Sequence, residues 1–308
     1  MSAITPALVK QLREQSGAGM MDCKRALEQN AGDIEASSDW LRKKGLAAAA
    51  KKASRVAAEG LIGMKLEGRV GALVEVNAET DFVSRNETFQ ALVHHVAGLA
   101  PGAGGDVEAL RKTVISGTGR TVADEIVQAI AVIGENMSLR RTATVKVEEG
   151  HIAGYVHGQV APGLGKIGVL VGLASKAPPA ALAEVGKQLA MHVAAANPQS
   201  LDVASLDPQT VERERAIFAD QARASGKPDN IIEKMVEGRL RKFYEEAVFL
   251  EQAFVIDPDK RIKAIVEEAA KKAGAPITVT GFVRLALGEG IEKEASDLAG
   301  EVAKLTQG

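Results

Sequence analysis

The sequence predicts an α+β fold, with small antiparallel sheets, helices on one face, and helical appendages. Three observations lead there. The middle of the chain repeats itself at a fixed spacing. Within that repeat, alternating strand patterns are followed by stretches that step by three and four. Both ends of the chain read as helices, the first group punctuated by glycine.

The repeat organises the rest. Gly68 pairs with Gly165, Val70 with Ile167, Gly71 with Gly168, Leu73 with Leu170 and Val74 with Val171. Leu92 then pairs with Leu189, His95 with His192, Val96 with Val193 and Pro101 with Pro198, all at one offset of 97 (68 to 165, 101 to 198). A constant offset through strand, connection and helix means two copies of one unit, each a β-hairpin followed by an amphipathic helix. The equivalent histidines point to a shared packing role. A third strand closes each copy, residues 142–147 and 282–287, ahead of glycine-ended turns at 148–150 and 288–290. That later offset is 140 (148 to 288), so the second copy holds 43 additional residues. Residues 207–250 supply them as a charged helical hairpin. Asp207-Pro208 opens one helix, residues 225–228 turn the chain, and Ile232, Met235, Leu240 and Phe243 share one side of the other. An antiparallel helix pair packed through that side, of coiled-coil type, suits the pattern.

Residues 1–45 read as three short helices. Thr5 caps the first, Pro6 takes its first helical position, and Gly17 ends it. The second spans about residues 21–30. Asp33 caps a third over residues 34–44, which Gly45 is expected to terminate. Met20 and Met21 are natural candidates to fill so small a core. At the far end, Ile291, Ala295, Leu298, Val302 and Leu305 form one apolar stripe on a helix, docked either on its own domain or on a partner. The expected division is residues 1–55, 56–149, 150–290 interrupted by the hairpin 207–250, and 291–308.

A length of 308 residues supplies two or three cores, and a net charge of −2 gives no overall basic field for nucleic acid. Arg42, Lys43, Lys44, Lys51, Lys52 and Arg55 make one local basic run, which a solvated helix face explains most simply. The single cysteine, Cys23, leaves no intrachain disulfide and fits a small buried thiol in a reducing cytoplasm. No apolar run reaches the ~20 residues of a membrane span, and the first ten residues lack a secretory core.

Catalytic motifs are weak. Gly163, Gly165 and Gly168 match GxGxxG, but a strand follows where a dinucleotide site needs a helix, so the glycines read as a hairpin connection. No phosphate-loop motif, metal-spaced histidine set or nucleophile elbow is present. Neither a cofactor nor a metal of its own is expected, and the chain reads as a non-enzyme.

The densest local signal is EVNAETDFVSRN, residues 75–86. It begins as a strand with Ala72, Val74 and Val76 on one face and Glu75 and Asn77 on the other. Alternation then stops at Thr80, Asp81, Phe82 and Val83. An aromatic beside a carboxylate at such a junction is either a lid on a local core or a wedge aimed at another molecule, and burial statistics favour the lid.

This stretch resembles the signature of the elongation factor Ts family, guanine-nucleotide exchange factors for elongation factor Tu. The resemblance continues through LREQSGAGMMDCKRAL at 12–27, GDIEASSDWLRKKG at 32–45, IGENMSLRR at 133–141 and GYVHG at 154–158. It reaches SGKPDNIIEKMVEGRL at 225–240 and the last stretch at 281–302, covering almost the whole chain in the family's order. Two departures are mild: Ser16 stands where the family mostly has Thr, and Ala78 replaces another small residue. The resemblance implies a ubiquitin-associated-type three-helix domain at the N-terminus and a cytoplasmic protein. It also implies that Thr80, Asp81, Phe82 and Val83 press on the GTPase near its metal site, displacing Mg²⁺ so that GDP leaves. By the same implication Arg13, Met20 and Met21 touch the GTPase's nucleotide-binding domain. Ile133, Gly134 and His157 lie on the core's contact surface, and the C-terminal helix reaches another domain. The helical hairpin is a candidate for homodimerisation. No membrane, direct nucleotide or DNA binding is expected. The alternative is a ubiquitin-associated-type adaptor or an RNA-binding module using the N-terminal helices and the basic run.

Overall fold

The computed structural model describes residues 4–224 and 228–292. The C-terminal stripe from Ala295 onward, and most of the turn at 225–228, lie outside them. The fold is mixed helix and sheet.

Three helices open the chain: α1 (Pro6–Ser16), α2 (Met20–Gln29) and α3 (Ile34–Lys52). The Thr5 hydroxyl accepts the Leu8 N–H at 3.3 Å, and Gly17 closes α1 with a left-handed φ of 67°. The Asp33 carboxylate accepts the Ala36 N–H at 2.8 Å and starts α3. Val9, Leu12, Cys23, Ala26, Leu27 and Leu41 form the small core, with Trp40 half-buried beside it. The two candidates for this core, one of which was expected to fill it, both lie outside it, Met20 59% and Met21 64% exposed. Six buried side chains already fill the space between three short helices. Nor does α3 stop at Gly45. A methyl group there would sit 3.4 Å from the Ala131 Cβ, so the glycine serves close helix packing, and the alanines after it carry the helix on.

Two sheets follow. In the first, β1 (Glu59–Glu67) and β2 (Val70–Ala78) form a hairpin around Gly68-Arg69, and β3 (Met137–Lys146) pairs with β2. In the second, β4 (Gly150–His157) pairs with β6 (Ile167–Ala174), which pairs with β7 (Thr278–Ala286). All pairings within the two sheets are antiparallel. The glycines of the GxGxxG run lie in the β4–β6 connection and on β6, where a two-residue strand β5 (Leu164–Gly165) crosses to join β1.

The duplication holds to single residues. The β2–β3 register slips at Glu75/Val76 and the β6–β7 register at Gly172/Leu173, positions 97 apart. The unpaired residues in these two bulges, Arg140 and Thr280, are 140 apart. Helix α4 (Glu87–Ala103) covers the first sheet and α7 (Pro179–Ala196) the second. The short α5 (Val107–Lys112) and α6 (Val122–Ile133) complete the first copy, and α10 (Ile262–Ala273) matches α6 at the same offset of 140. The additional residues form α8 (Pro208–Arg223) and α9 (Asp229–Ala247), an antiparallel pair in which Val236 and Leu240 are buried and Met235 and Phe243 half-buried.

The sheets pack face to face, helices outside. Ile62, Leu73, Val147, Ile152, Leu170 and Leu285 fill the gap. Gly71 meets Ile152 and Leu170, while its equivalent Gly168 meets Ile62 and Leu73; an added Cβ would lie 2.7 Å and 2.6 Å from the nearest of these atoms. Each copy thus inserts its isoleucine and leucine over the other's glycine. This packing corrects the expectation of one polar face on β2: Glu75 and Asn77 are fully buried. The Glu75 carboxylate accepts from Arg140 Nη1 at 3.1 Å, from Arg141 Nε, from Asn77 Nδ2 at 3.1 Å and from the Gly288 N–H at 2.8 Å. Burial pushes this carboxyl up, but the Gly288 N–H, the Arg141 guanidinium and the Asn77 amide outweigh it and hold it below its ordinary value.

The equivalent histidines do not share a role. His95 is exposed, whereas His192 is fully buried against Phe249 and Phe254, on the segment that returns from α9 over α7. Among the described residues no such segment covers His95 in the first copy. His192 Nδ1 accepts the Val255 N–H at 3.2 Å, which requires a neutral ring whose Nε2–H donates to Gln252 Oε1 at 2.8 Å. Burial is the main reason its pKa falls below 6.5, with Gln252 opposing; burial lowers His151 likewise.

Two predictions follow from this packing. Gly71→Ala and Gly168→Ala each lower stability by about 1–3 kcal/mol through overpacking, read as a lower urea midpoint at unchanged slope. The unfolded chain protonates His192 near its ordinary value while the folded protein resists, so this stability is complete above that pH and is lost as pH falls below it. Urea midpoints measured downward from pH 7.5 should decline less steeply in His192→Gln than in the parent.

Candidate functional site

Strand β2 ends at Ala78, and the chain must then cross from the sheet to the start of α4. It does so through Glu79, Thr80 and one 3-10 turn, Asp81–Arg85. Asn86 ends the turn and caps α4, its side chain accepting the Phe89 N–H at 3.1 Å. Within the turn, the Ser84 hydroxyl donates to the Asp81 carbonyl at 2.6 Å. Val83 points inward and is 4% exposed, part of the first sheet's core. It therefore anchors the segment and offers little surface. Phe82 points outward and is 79% exposed, the highest value among the large exposed apolar side chains of the described residues. The lid interpretation is overturned, because Val83 and Phe89 already occupy the core beneath the turn. Keeping such a ring in water forgoes about 1.5–3 kcal/mol of burial free energy, which any molecule that covers it gains.

A second junction abuts the first. Helix α6 ends at Ile133, half-buried against the same core, and Gly134 takes a left-handed φ of 91° to release the chain toward β3. The next two residues bind the Phe82 segment. Glu135 accepts the Thr80 N–H at 2.9 Å and the Thr80 hydroxyl at 2.7 Å. In return Glu79 accepts the Asn136 N–H, and Arg55 lies 3.4 Å from the Glu79 carboxylate. The Asn136 amide donates to the Arg55 carbonyl at 2.8 Å, tying in the chain that leaves α3.

Of the residues singled out in the sequence, the structure brings together Thr80, Asp81, Phe82 and Val83 with Ile133 and Gly134. The others stand on separate elements. Arg13 on α1 and Met20 and Met21 on α2 line an open, largely apolar groove of about 660 Å³ with Ile4, Val9 and Lys24. His157 is exposed at the end of β4, its Nδ1 3.2 Å from the Tyr155 hydroxyl. Glu79, Glu135 and Asn136 were overlooked in the sequence, although all three lie in or beside the motifs already marked. Alternation stopped before Thr80, and nothing local says which carboxylate bonds across a gap of more than fifty positions.

Half of the basic run is committed to ion pairs: Lys44 with Asp22 at 2.6 Å, Arg42 with Asp124 at 3.1 Å and Arg55 with Glu79 at 3.4 Å. Among the described residues no cluster of three or more histidine, cysteine or acidic side chains is placed to hold a metal, and no helix is long and apolar enough to cross a membrane.

Comparison with known proteins gives one consistent result. Residues 79–289 match the family model described as Elongation factor TS. The chain is 61% identical to elongation factor Ts of Rhodospirillum rubrum over 304 residues, covering 98% of each chain. It is 59% identical to that of Rhodospirillum centenum over 305 residues, 99% of each, and 57% identical to that of Parvibaculum lavamentivorans over the full length of both.

Because the ring touches little of its own protein, Phe82→Ala should change stability by no more than about 0.5 kcal/mol. Thermal and urea unfolding of the variant would measure this.

Proposed function

The chain belongs to the elongation factor Ts family, and from that membership we propose that it drives GDP out of elongation factor Tu with Phe82 as the intruding group. Its role is that of a translation elongation factor, and its partner is the GTPase elongation factor Tu. The observation that carries the residue assignment is the exposure of Phe82 on a turn bonded at both ends.

A GTPase holds its nucleotide through phosphate-loop amides and a Mg²⁺ that demands near-octahedral oxygen ligands. A partner expels that nucleotide only by binding the empty GTPase better than the loaded one. The preference is reciprocal: nucleotide weakens the partner's grip by the same factor. Each ~1.4 kcal/mol of difference is worth about tenfold. An exposed ring supplies such a difference if it is buried only once the GTPase has shifted around its metal site. In this proposal Asp81 orients the segment and perturbs polar groups near the ion, while Thr80 and Val83 fix its two flanks.

Arg13, Met20 and Met21 make a separate contact on the nucleotide-binding domain, and the exposed methionines suit it, since flexible thioethers adapt to an irregular partner surface. Ile133, Gly134 and His157 add to the contact surface of the core. Several modest contacts on one rigid body act together through effective concentration. The α8–α9 hairpin is offered as a homodimerisation element on the same footing, and the cytoplasm as the place of action. The adaptor or RNA-binding alternative is not favoured, because the relatives that match the chain over nearly its full length are elongation factors Ts.

Stopped-flow release of fluorescent GDP from elongation factor Tu tests the proposal. The parent should accelerate release, and Phe82→Ala should lose at least about tenfold of that acceleration. A parent protein that leaves the release rate unchanged would overturn it.

A further inference from the structure

We propose that Glu135 is a positioning residue for Phe82, acting through Thr80, with Glu79 completing the hold from the opposite side. The inference rests on the role given to Phe82 above.

The geometry is reciprocal. Two adjacent pairs, Glu79-Thr80 and Glu135-Asn136, face each other across the two junctions. Each carboxylate accepts a backbone N–H from the other pair: Glu135 from Thr80 at 2.9 Å, and Glu79 from Asn136. Glu135 takes the Thr80 hydroxyl as well, at 2.7 Å, so both polar hydrogens of that residue end on one carboxylate. Thr80 immediately precedes the 3-10 turn. On the far side the turn is fixed by buried Val83 and by the Asn86 cap. Phe82 therefore projects from a base that is bonded before and after it. Ordering that base during folding removes the cost from the complex, where it would otherwise oppose insertion.

The second copy of the repeat serves as an internal control. At the offset of 97, Glu79-Thr80-Asp81-Phe82 correspond to Lys176-Ala177-Pro178-Pro179. At the offset of 140, Gly134-Glu135-Asn136 correspond to Gly274-Ala275-Pro276. Gly274 also ends its helix with a left-handed φ, 68°, so that half of the junction is built the same way, whereas α7 starts directly at Pro179 with no 3-10 turn before it. Yet neither carboxylate is there, and buried Ala177 takes the place of Thr80. The copy that enters its helix directly does without the clamp. The clamp accompanies the 3-10 turn that displays the exposed ring, which ties it to presentation of Phe82.

The chemistry also specifies which substitutions are tolerated. A glutamine at 135 can accept the Thr80 N–H with its oxygen and donate its amide to the Thr80 hydroxyl. Shape is needed and charge is not. An alanine leaves Thr80 without either bond.

GDP release from elongation factor Tu should be followed over a range of factor concentrations with the parent, Phe82→Ala, Glu135→Ala, Glu135→Gln and the double variant Phe82→Ala/Glu135→Ala. Glu135→Ala should reduce the maximal release rate about tenfold while shifting the half-saturating concentration less than about threefold, the signature of lost orientation at retained binding. Glu135→Gln should recover at least half of the parent rate. The double variant should be no slower than Phe82→Ala, because a residue that acts through Phe82 has nothing left to position. A parent-like rate for Glu135→Ala beside a slow Phe82→Ala would overturn the inference and spare the role of Phe82. Additive losses in the double variant would overturn it too. A parent-like Phe82→Ala would instead remove the premise. Should Glu135→Ala fail to fold, Thr80→Val deletes only the hydroxyl bond, and a maximal rate equal to the parent's would then count against the proposal.

Discussion

The molecule depends on two small sheets meeting face to face without a gap. Gly71 and Gly168 make that possible, because any side chain at either would collide with an isoleucine and a leucine of the opposite copy. The contact is symmetric in kind, so one solution to close packing is used twice. With the inner faces joined, the outer faces are left for α4 and α7, and each copy gains its own core. A small sheet covered on one face leaves its other face to be buried, and two such sheets sharing an interface bury it for each other.

Into this apolar contact the chain places one carboxylate. Removing Glu75 from water is costly, and two guanidinium groups, an amide and a backbone N–H offset that cost. The N–H belongs to Gly288, past the end of β7, so the first sheet's central strand is bonded to the second copy's last turn. Gly288 has a φ of 71°, and a Cβ there would lie 2.4 Å from the Ala58 carbonyl, which leaves glycine as the residue that fits. Arg140, the bulge residue of β3, reaches the same carboxylate, and its other nitrogen donates to the Glu289 carbonyl at 2.7 Å. The bulge thus turns an arginine toward the seam between the copies.

Five residues beyond Glu75 along the chain stands Thr80, the entry to the exposed turn. The strand is held by both neighbouring strands and by the opposite sheet, so the turn starts from a fixed point. Rigidity below and exposure above are what the role proposed for Phe82 requires. A mobile ring would collapse onto its own protein; a buried one would reach nothing. Phe82 avoids both because Val83 and Phe89 fill the core under it and the carboxylates of Glu79 and Glu135 bind the junctions beside it.

The sequence by itself determined the duplication, its offsets, the inserted helix pair and the helix starts at Thr5 and Asp33, since repeats, periodicity and caps are local or strictly periodic signals. It also marked residues 80–83 and 133–134 as worth attention. Only the tertiary structure decided what each marked side chain does. Gly45 packs against α6 where a helix stop was expected; Met20 and Met21 face water where a core was expected; His95 is exposed and His192 buried. Glu75 is interred where a polar face was expected, and Phe82 is uncovered where burial statistics expected a lid. For Gly45, Glu75 and His192 the answer depends on what another element, distant along the chain, places over that position. Local pattern carries the shape of an element. Which of its faces is covered is a property of the packed whole.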